Sequence, residues 1–434
     1  MSLRDLVLLA VVLGTLPFVF QRTYLGVLLW NWLAFMNPHQ YTWGFARSFR
    51  FSLVVAVVTL VSFFAHQHFR RIPWRAPVVF TVALLFWVSF TTFFFALEPS
   101  GAREEWDRFL RIILMVLVAL AVLDTRTKLD WLIWVVALSV GFYGFKGGLF
   151  TIAHGGAYRV GGPPFSFIAG NNEIAFALVV CLPLMRYLQL QAQNKWIRHA
   201  LTVVMVLCAF SIVGSHSRGA FLAGGVMAFT LWLRSRRKLL LGAALVLTIP
   251  FLLSFMPEQW HDRMATIQTY EEDTSALGRI NAWHFAWNLA KDYPVTGGGA
   301  QVFTARLFQR YAPEPDRVHD AHSIYFEMLG EQGFVGLGLF LAVGISTLFY
   351  GSRLMRLGRS RESLRWAYDL GSMCQVCIIG YAVGGAFLGL AYWDLPYTVT
   401  VMVVVGREIA ERQLWEEMQA EESVQASALE ARSA

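Results

Sequence analysis

Two short stretches place polar chemistry where the surrounding chain is apolar. In GSHSRGAFLAGG, Gly214 to Gly225, the residues His216, Ser217 and Arg218 sit between two long hydrophobic runs. In HDAHSIYFEMLGEQGFVG, His319 to Gly336, two histidines and Asp320 stand at the mouth of another run, with Glu327 and Glu331 about one and two turns further in. A guanidinium fork binds phosphate oxygens two at a time. A neutral imidazole takes a hydroxyl proton near neutral pH. The first stretch therefore suits a phosphorylated anion, and the second suits a general base, His322. Capping of a helix end is the bland alternative for that histidine. His319 and His322, at i and i+3, also have the spacing of a metal pair, but no nearby acidic pair completes a ligand set, so no metal site is expected. Carboxyl groups as deep as Glu327 and Glu331 have to be paired or protonated, and they read equally well as fasteners between spans.

The elements that must position these groups are membrane helices. Of 434 residues, 56% are hydrophobic and 15% charged, with a mean hydropathy of +0.50. Soluble domains carry about 25% charged residues, so polar side chains are too few to coat a globule. Apolar runs fall near 51–66, 76–97, 108–123, 131–150, 173–188, 199–214, 219–233, 239–256, 323–350, 368–390 and 397–410, lengths that suit crossing a bilayer core as a helix. The short alternating segments of a transmembrane barrel are absent. The fold class is an all-α polytopic integral membrane protein.

Every second connection is basic: HQHFRRIPWR, DTRTK, QAQNKWIRH, RSRRK and GSRLMRLGRSRESLR. The positive-inside rule assigns these to the cytoplasm, so the net charge of +7 reports orientation and not nucleic acid. Residues 37–50, 98–107, 151–172, 215–218, 257–322 and 391–396 then face outward. Residues 5–36 read as one tilted span or two short ones broken around Pro17 and Arg22. An even total of about twelve spans follows if both termini are cytoplasmic. The N-terminus has a signal-like apolar core without a small-x-small cleavage site, and reads as a retained span. Cys181, Cys208, Cys374 and Cys377 all lie in apolar runs. CQVC lacks the βαβ setting of a redox motif, and the thiols read as small hydrophobes.

Four parts result: an N-terminal transmembrane bundle at 1–256, a large outer loop at 257–322, C-terminal spans at 323–410, and an acidic tail at 411–434. The tail reads as a solvated helix that frays. The loop exceeds the usual connection length and needs structure of its own. SALGRINAWHFAWNLAKDYP within it reads as an amphipathic helix with Ser275 as N-cap and Ile280, Trp283, Trp287 and Ala290 on one face. Such a helix suits the membrane interface.

Outward-facing basic residues run against the orientation bias: Lys146, Arg159, Arg218, Arg279, Arg306, Arg310 and Arg317. Snorkelling to headgroups explains a single such residue near a helix end, and it covers Arg306, Arg310 and Arg317 unless they form a solvated face. Arg218 lies in a tight turn beside Gly219, which lets a backbone or ligand approach closely. Arg279 falls at the first turn of the amphipathic helix, where the dipole already favours an anion. Arg159 precedes a flexible GGPP. Convergence of these cations on one outer cavity would match a doubly charged diphosphate.

The chain resembles the O-antigen ligase superfamily, which contains lipopolysaccharide O-antigen ligases, O-antigen polymerases and protein O-oligosaccharyltransferases. The resemblance rests on SRGA (Ser217–Ala220), GRINAW (Gly278–Trp283), PVTGGGAQVF (Pro294–Phe303) and the His319–Gly336 stretch, in that order, with one large outer loop before the histidine-bearing span. GNNEIAFALVV, Gly170 to Val180, also looks like members associated with exosortase-type export systems. Where the family often has Asp-Pro-Asn, this chain has Gly170-Asn171-Asn172, which puts a role for Asn172 in doubt.

What the resemblance implies is a GT-C-like glycosyltransferase of the bacterial inner membrane with its active site facing the periplasm. Its partners would be an undecaprenyl-pyrophosphate-linked glycan donor and, for a ligase, a lipid A–core acceptor, with no cofactor, nucleotide sugar or metal. Arg218 and Arg279 would hold the pyrophosphate, Arg159 and Lys146 would assist, and His322 would activate the acceptor, with His319, Asp320, Ser217 and His216 as secondary candidates. A polymerase or a protein O-glycosylation ligase would use the same chemistry. A transporter of polyprenol-linked glycans is the reading from another class, and it expects broken helices and inverted repeats.

Overall fold

The computed structural model describes residues 2–235, 238–265 and 274–433, and all regular structure among them is helical. α1 (Leu3–Gln21), α2 (Tyr24–Met36), α3 (Phe51–Ala65), α4 (Ala76–Phe94), α5 (Pro99–Val122) and α6 (Arg126–Ala153) open the chain. α7 (Asn171–Gln191), α8 (Lys195–Gly214), α9 (Arg218–Arg234) and α10 (Lys238–Ser254) follow. The long connection holds α11 (Glu258–Ala265), α12 (Thr274–Asp292) and α13 (Ala305–Tyr311). Then come α14 (Ile324–Ser360), α15 (Arg365–Gly384) and α16 (Asp394–Ser433). Among the described residues seven helices are long and apolar enough to cross a membrane, or eight if α10 and α11 form one bent span. α2 and α3 are shorter apolar helices. The chain is a helical polytopic membrane protein.

Residues 5–36 form two helices, and the break falls at Arg22 and Thr23, while Pro17 is accommodated inside α1. Arg4 Nη1 donates to the Tyr41 carbonyl at 3.1 Å, ahead of α3. Beyond the other end of α3, Arg75 pairs with Glu408 of α16 at 2.7 Å. These two contacts lie beyond opposite ends of α3. A single apolar core reaches from Leu8 to Ala410. The spans before and after the long connection thus pack as one bundle and not as separate units. The C-terminal tail continues α16 as helix to Ser433, held near its root by Arg361 against Glu417 and Glu421.

α12 and α13 enclose a second, smaller core around Phe285, Leu289, Phe308 and Tyr311. Ser275 lies inside α12 and does not cap it. The buried stripe of α12 includes Gly278, Ala282, Phe285 and Leu289; of the expected face Ile280, Trp283, Trp287 and Ala290, Ala290 alone is buried. The small residues of GRINAW are what allow close packing, while Trp287 stays exposed.

α14 is interrupted at Gly333, whose φ of 66° and ψ of −171° belong to a backbone region open essentially to glycine alone. The carbonyls of Gly330 and Glu331 accept from the N–H groups of Gly298 and Gly299 at 2.9 and 2.8 Å, and Phe334 N–H donates to the Pro294 carbonyl at 2.9 Å. The PVTGGGAQVF stretch is thus a plug that answers the polar backbone freed by the break. Glu331 is held by Gln301 N–H at 2.7 Å and the Tyr392 hydroxyl at 2.8 Å. Glu327 accepts from Ala391 N–H at 3.1 Å. Both carboxyl groups fasten α14 to neighbouring segments.

A Cβ at position 333 would run into the Val295 carbonyl, whereas one at Gly338 on the same helix meets nothing within 4 Å. Gly333→Ala is expected to destabilise the protein by about 1–3 kcal/mol. Gly338→Ala should be neutral or slightly stabilising by helix propensity. Thermal unfolding of the purified variants in detergent checks both.

Candidate active site

The turn after α8 is built from short polar side chains. Ser215 Oγ donates to the Ile212 carbonyl at 2.6 Å and accepts from Ser217 N–H at 3.2 Å. Ser217 caps α9, its hydroxyl accepting from Ala220 N–H at 3.3 Å. Arg218 is consequently the first residue of α9, where a cation opposes the helix dipole. Arg279, by contrast, lies more than a turn inside α12. The helix-start argument therefore belongs to Arg218 and not to Arg279.

His216 sits in this turn with φ of +58°. Its Nε2 is bonded to the Gly156 carbonyl at 2.9 Å, and its own carbonyl accepts from Arg263 Nε at 2.9 Å. Burial, with the Arg159 and Arg263 charges, pushes its imidazole below the usual range, against the hydrogen bond to Gly156. His216 ties the 154–160 segment to α9.

A small cleft opens beside the turn. It is lined by Ser217, Gly219 and Ala220 of α9, Asn172 and Phe176 of α7, Arg279 of α12, and Gly384, Phe387 and Leu388 beyond α15. Three helix ends and one helix flank meet there, from parts of the chain more than two hundred positions apart. The Arg279 charge is felt by both the Glu173 carboxyl and the His322 imidazole.

His322 is delivered by α12. Asn281 Nδ2 donates to the carbonyls of Glu314 and Arg317 at 2.8 and 3.0 Å. Trp283 Nε1 donates to the Ala321 carbonyl at 2.8 Å and stacks on Phe326 with centroids 5.1 Å apart. Gly278 lets the His319 ring lie against the helix, because a Cβ there would strike that ring. Each letter of the GRINAW motif except Ile280 and Ala282 thus reaches the 314–322 segment or its charge. His322 itself adopts φ of +42°, a conformation that costs a non-glycine residue free energy and persists only when its surroundings enforce it. Its ring centroid is 6.3 Å from that of His319. Burial lowers its affinity for a proton, Arg279 and His319 act the same way, and Asp320 opposes them.

The sequence candidates separate accordingly. Arg279, His322, His319, Asp320 and Ser217 come together, and Arg218 lies in the backbone between the cleft residues Ser217 and Gly219. Arg159 is exposed and one step removed, its charge reaching His216. Lys146 stands outside the cluster, its Nζ over the Tyr41 ring at 5.6 Å from the centroid. Arg306, Arg310 and Arg317 each face an acid within the site end of the molecule, Glu98, Asp292 and Glu314 at 3.0, 3.7 and 3.1 Å. Asn172 is a cleft residue despite the departure in its motif. Glu173, Phe387 and Leu388 were not singled out. An acid opening an apolar run was the one available signal, for Glu173.

Comparison with known families gives two matches. Residues 203–341 match the family model described as O-antigen ligase. This match supports the O-antigen ligase superfamily for that segment. Residues 3–193 match a family of unknown function, DUF5935. No curated protein matches the chain. The ligase segment carries Arg218, Arg279, His319, Asp320 and His322 together with the Gly333 break. Asn172 and Phe176, from the DUF5935 segment, and Phe387 and Leu388, from the end of α15, supply walls of the cleft.

Among the described residues Asp320 is the one neighbour whose charge favours the imidazolium of His322, so Asp320→Asn should lower that pKa further. Arg279→Gln removes a repelling cation and should raise it. The pH dependence of carbethoxylation at His322, followed by tandem mass spectrometry, is expected to have its midpoint below 6.5 in the wild type. The midpoint should move down in the first variant and up in the second.

Proposed function

We propose that the protein transfers a glycan from undecaprenyl pyrophosphate to a sugar hydroxyl of a lipid A–core acceptor, on the periplasmic face of the bacterial inner membrane. The observation that carries this reading is that Arg279 lines a cleft with the start of α9, the helix that Arg218 opens, and lies close enough to His322 for its charge to act on that imidazole. The superfamily is one of glycosyltransferase-like ligases and polymerases. The α14 break, which a transporter would share, is filled by the protein's own Pro294–Gln301 segment, so it gives transport no support.

In the proposed step the acceptor oxygen forms a bond to the anomeric carbon as the bond from that carbon to the diphosphate oxygen breaks. The electron pair leaves with the diphosphate, and the hydroxyl proton passes to His322. Arginines preorganised in a water-poor cleft stabilise the developing charge, so this route needs no metal ion or nucleotide sugar. The lowered proton affinity of His322 keeps the imidazole neutral, and able to act as base, at neutral pH. A base and a leaving group on opposite sides of the sugar carbon make the displacement a single inverting one.

Arg218→Ala and Arg279→Ala are expected to lose about a hundredfold or more in transfer rate. His322→Ala should lose between about 10²- and 10⁴-fold, with membrane insertion retained in all three. The assay uses purified protein, polyprenol-linked glycan and candidate acceptors, with chelator present. Full-rate transfer by an inserted His322→Ala protein would remove the base from the mechanism. In cells, deletion should leave polymer on its lipid carrier and lipopolysaccharide as bare core; core bearing a single repeat unit marks a polymerase instead.

A further inference from the structure

Glu173 is an acid beside the cleft to which the proposed reaction gives no task. It stands in the first turn of α7, where the helix dipole favours an anion. It follows the cleft residue Asn172 in the chain and neighbours the cleft residue Phe176 at i, i+3 on the helix surface. Its side chain folds back over Gly170, where an added Cβ would strike a carboxyl oxygen. The start of α7 is itself fixed, because Asn171 Nδ2 donates to the Ser215 carbonyl at 2.8 Å, in the turn that opens α9. Glu173 is therefore a carboxyl group held in place by its own helix.

Arg279 comes from another wall. α12 packs on α13 and α14, so Arg279 is delivered by the long connection and not by the spans that carry Asn172 and Ser217. The charges of Glu173 and Arg279 act on each other across that boundary. An arginine side chain has many rotamers, and a fixed carboxylate nearby selects among them. We propose that Glu173 is a positioning residue, an internal anion that aims the Arg279 guanidinium into the cleft. Its effect on glycosyl transfer rests on reading the cleft as the diphosphate site. Glu173 lies in the 3–193 segment and Arg279 in the 203–341 segment, so the pair gives the family of unknown function a task in the chemistry of the other. A carboxylate there repels a bound diphosphate, and its benefit lies in rate and not in affinity.

Phenylglyoxal, which modifies guanidinium groups, reads the surroundings of Arg279 without reference to transfer. Purified protein in detergent is treated at mildly alkaline pH, and modification of each arginine is followed by tandem mass spectrometry. Glu173→Gln keeps the side-chain size and removes the charge. It is expected to speed modification of Arg279 several-fold and to leave Arg218 and Arg306 unchanged. Glu173→Asp, which keeps the charge, should stay nearer the wild type. An unchanged rate at Arg279 overturns the proposal. So does an equal rise at Arg218, which would make Glu173 a brace for the helix starts alone. In the transfer assay Glu173→Gln should lower kcat by about ten- to a hundredfold, the scale of a small misplacement in a catalytic site, with KM for the donor unchanged or lower. An unchanged kcat overturns the positioning role, whatever happens to KM. If the wild type transfers no glycan, the functional reading falls, and the phenylglyoxal rates alone decide whether Glu173 holds Arg279.

Discussion

Carbonyls released where α14 breaks at Gly333 have little water to turn to, and in a hydrocarbon setting each unanswered one costs several kcal/mol. Gly298 and Gly299 answer them, and Pro294 answers the N–H of Phe334 on the far side. This local settlement of hydrogen bonds locks the outer half of α14 to the long connection. Trp87 and Thr91 on α4 close it from the bundle side through Gln332. With the outer half of α14 held, Ser323 and His322 are held at its head, and α12 is brought alongside with Arg279. Most of the site geometry follows from that one joint.

The outward cations differ in their surroundings. Arg306, Arg310 and Arg317 face carboxylates on an exposed surface, where such pairs contribute little. Arg218 starts a helix whose dipole repels it, and Arg279 raises the cost of protonating the histidine beside it. Neither position is favourable for a cation in isolation.

Much of the architecture could be read from the residues. The apolar runs from 51–66 to 397–410 correspond to helices, because a segment crossing hydrocarbon must satisfy its backbone within itself. The basic connections gather at one end, as Arg75 with Glu408 and Arg71 with Asp124 show. The N-terminus was less legible. Of the two breaks considered, Pro17 and Arg22, the chain turns at Arg22, because a proline in a membrane helix is tolerated when neighbours compensate. The burial of α12 was also misjudged, since its tryptophans suggested the apolar face. Gly278 and Ala282 share the buried face with Phe285 and Leu289, so close approach and side-chain area both set it.

The sequence by itself determined that this is a membrane helix protein, which residues had to be exceptional within it, and the chemistry their types permit. Hydrophobic runs and misplaced charges are local properties, legible one segment at a time. Which exceptional residues work together was decided only by the tertiary structure. Arg279 comes close enough for its charge to act on His322, Lys146 does not join them, and Asn172, Phe387 and Leu388 enter beside Arg279 from distant segments. That outcome depends on which helix ends abut, and this is fixed by packing of small residues and by the plugged break in α14. No pattern along the chain encodes a contact between positions two hundred residues apart.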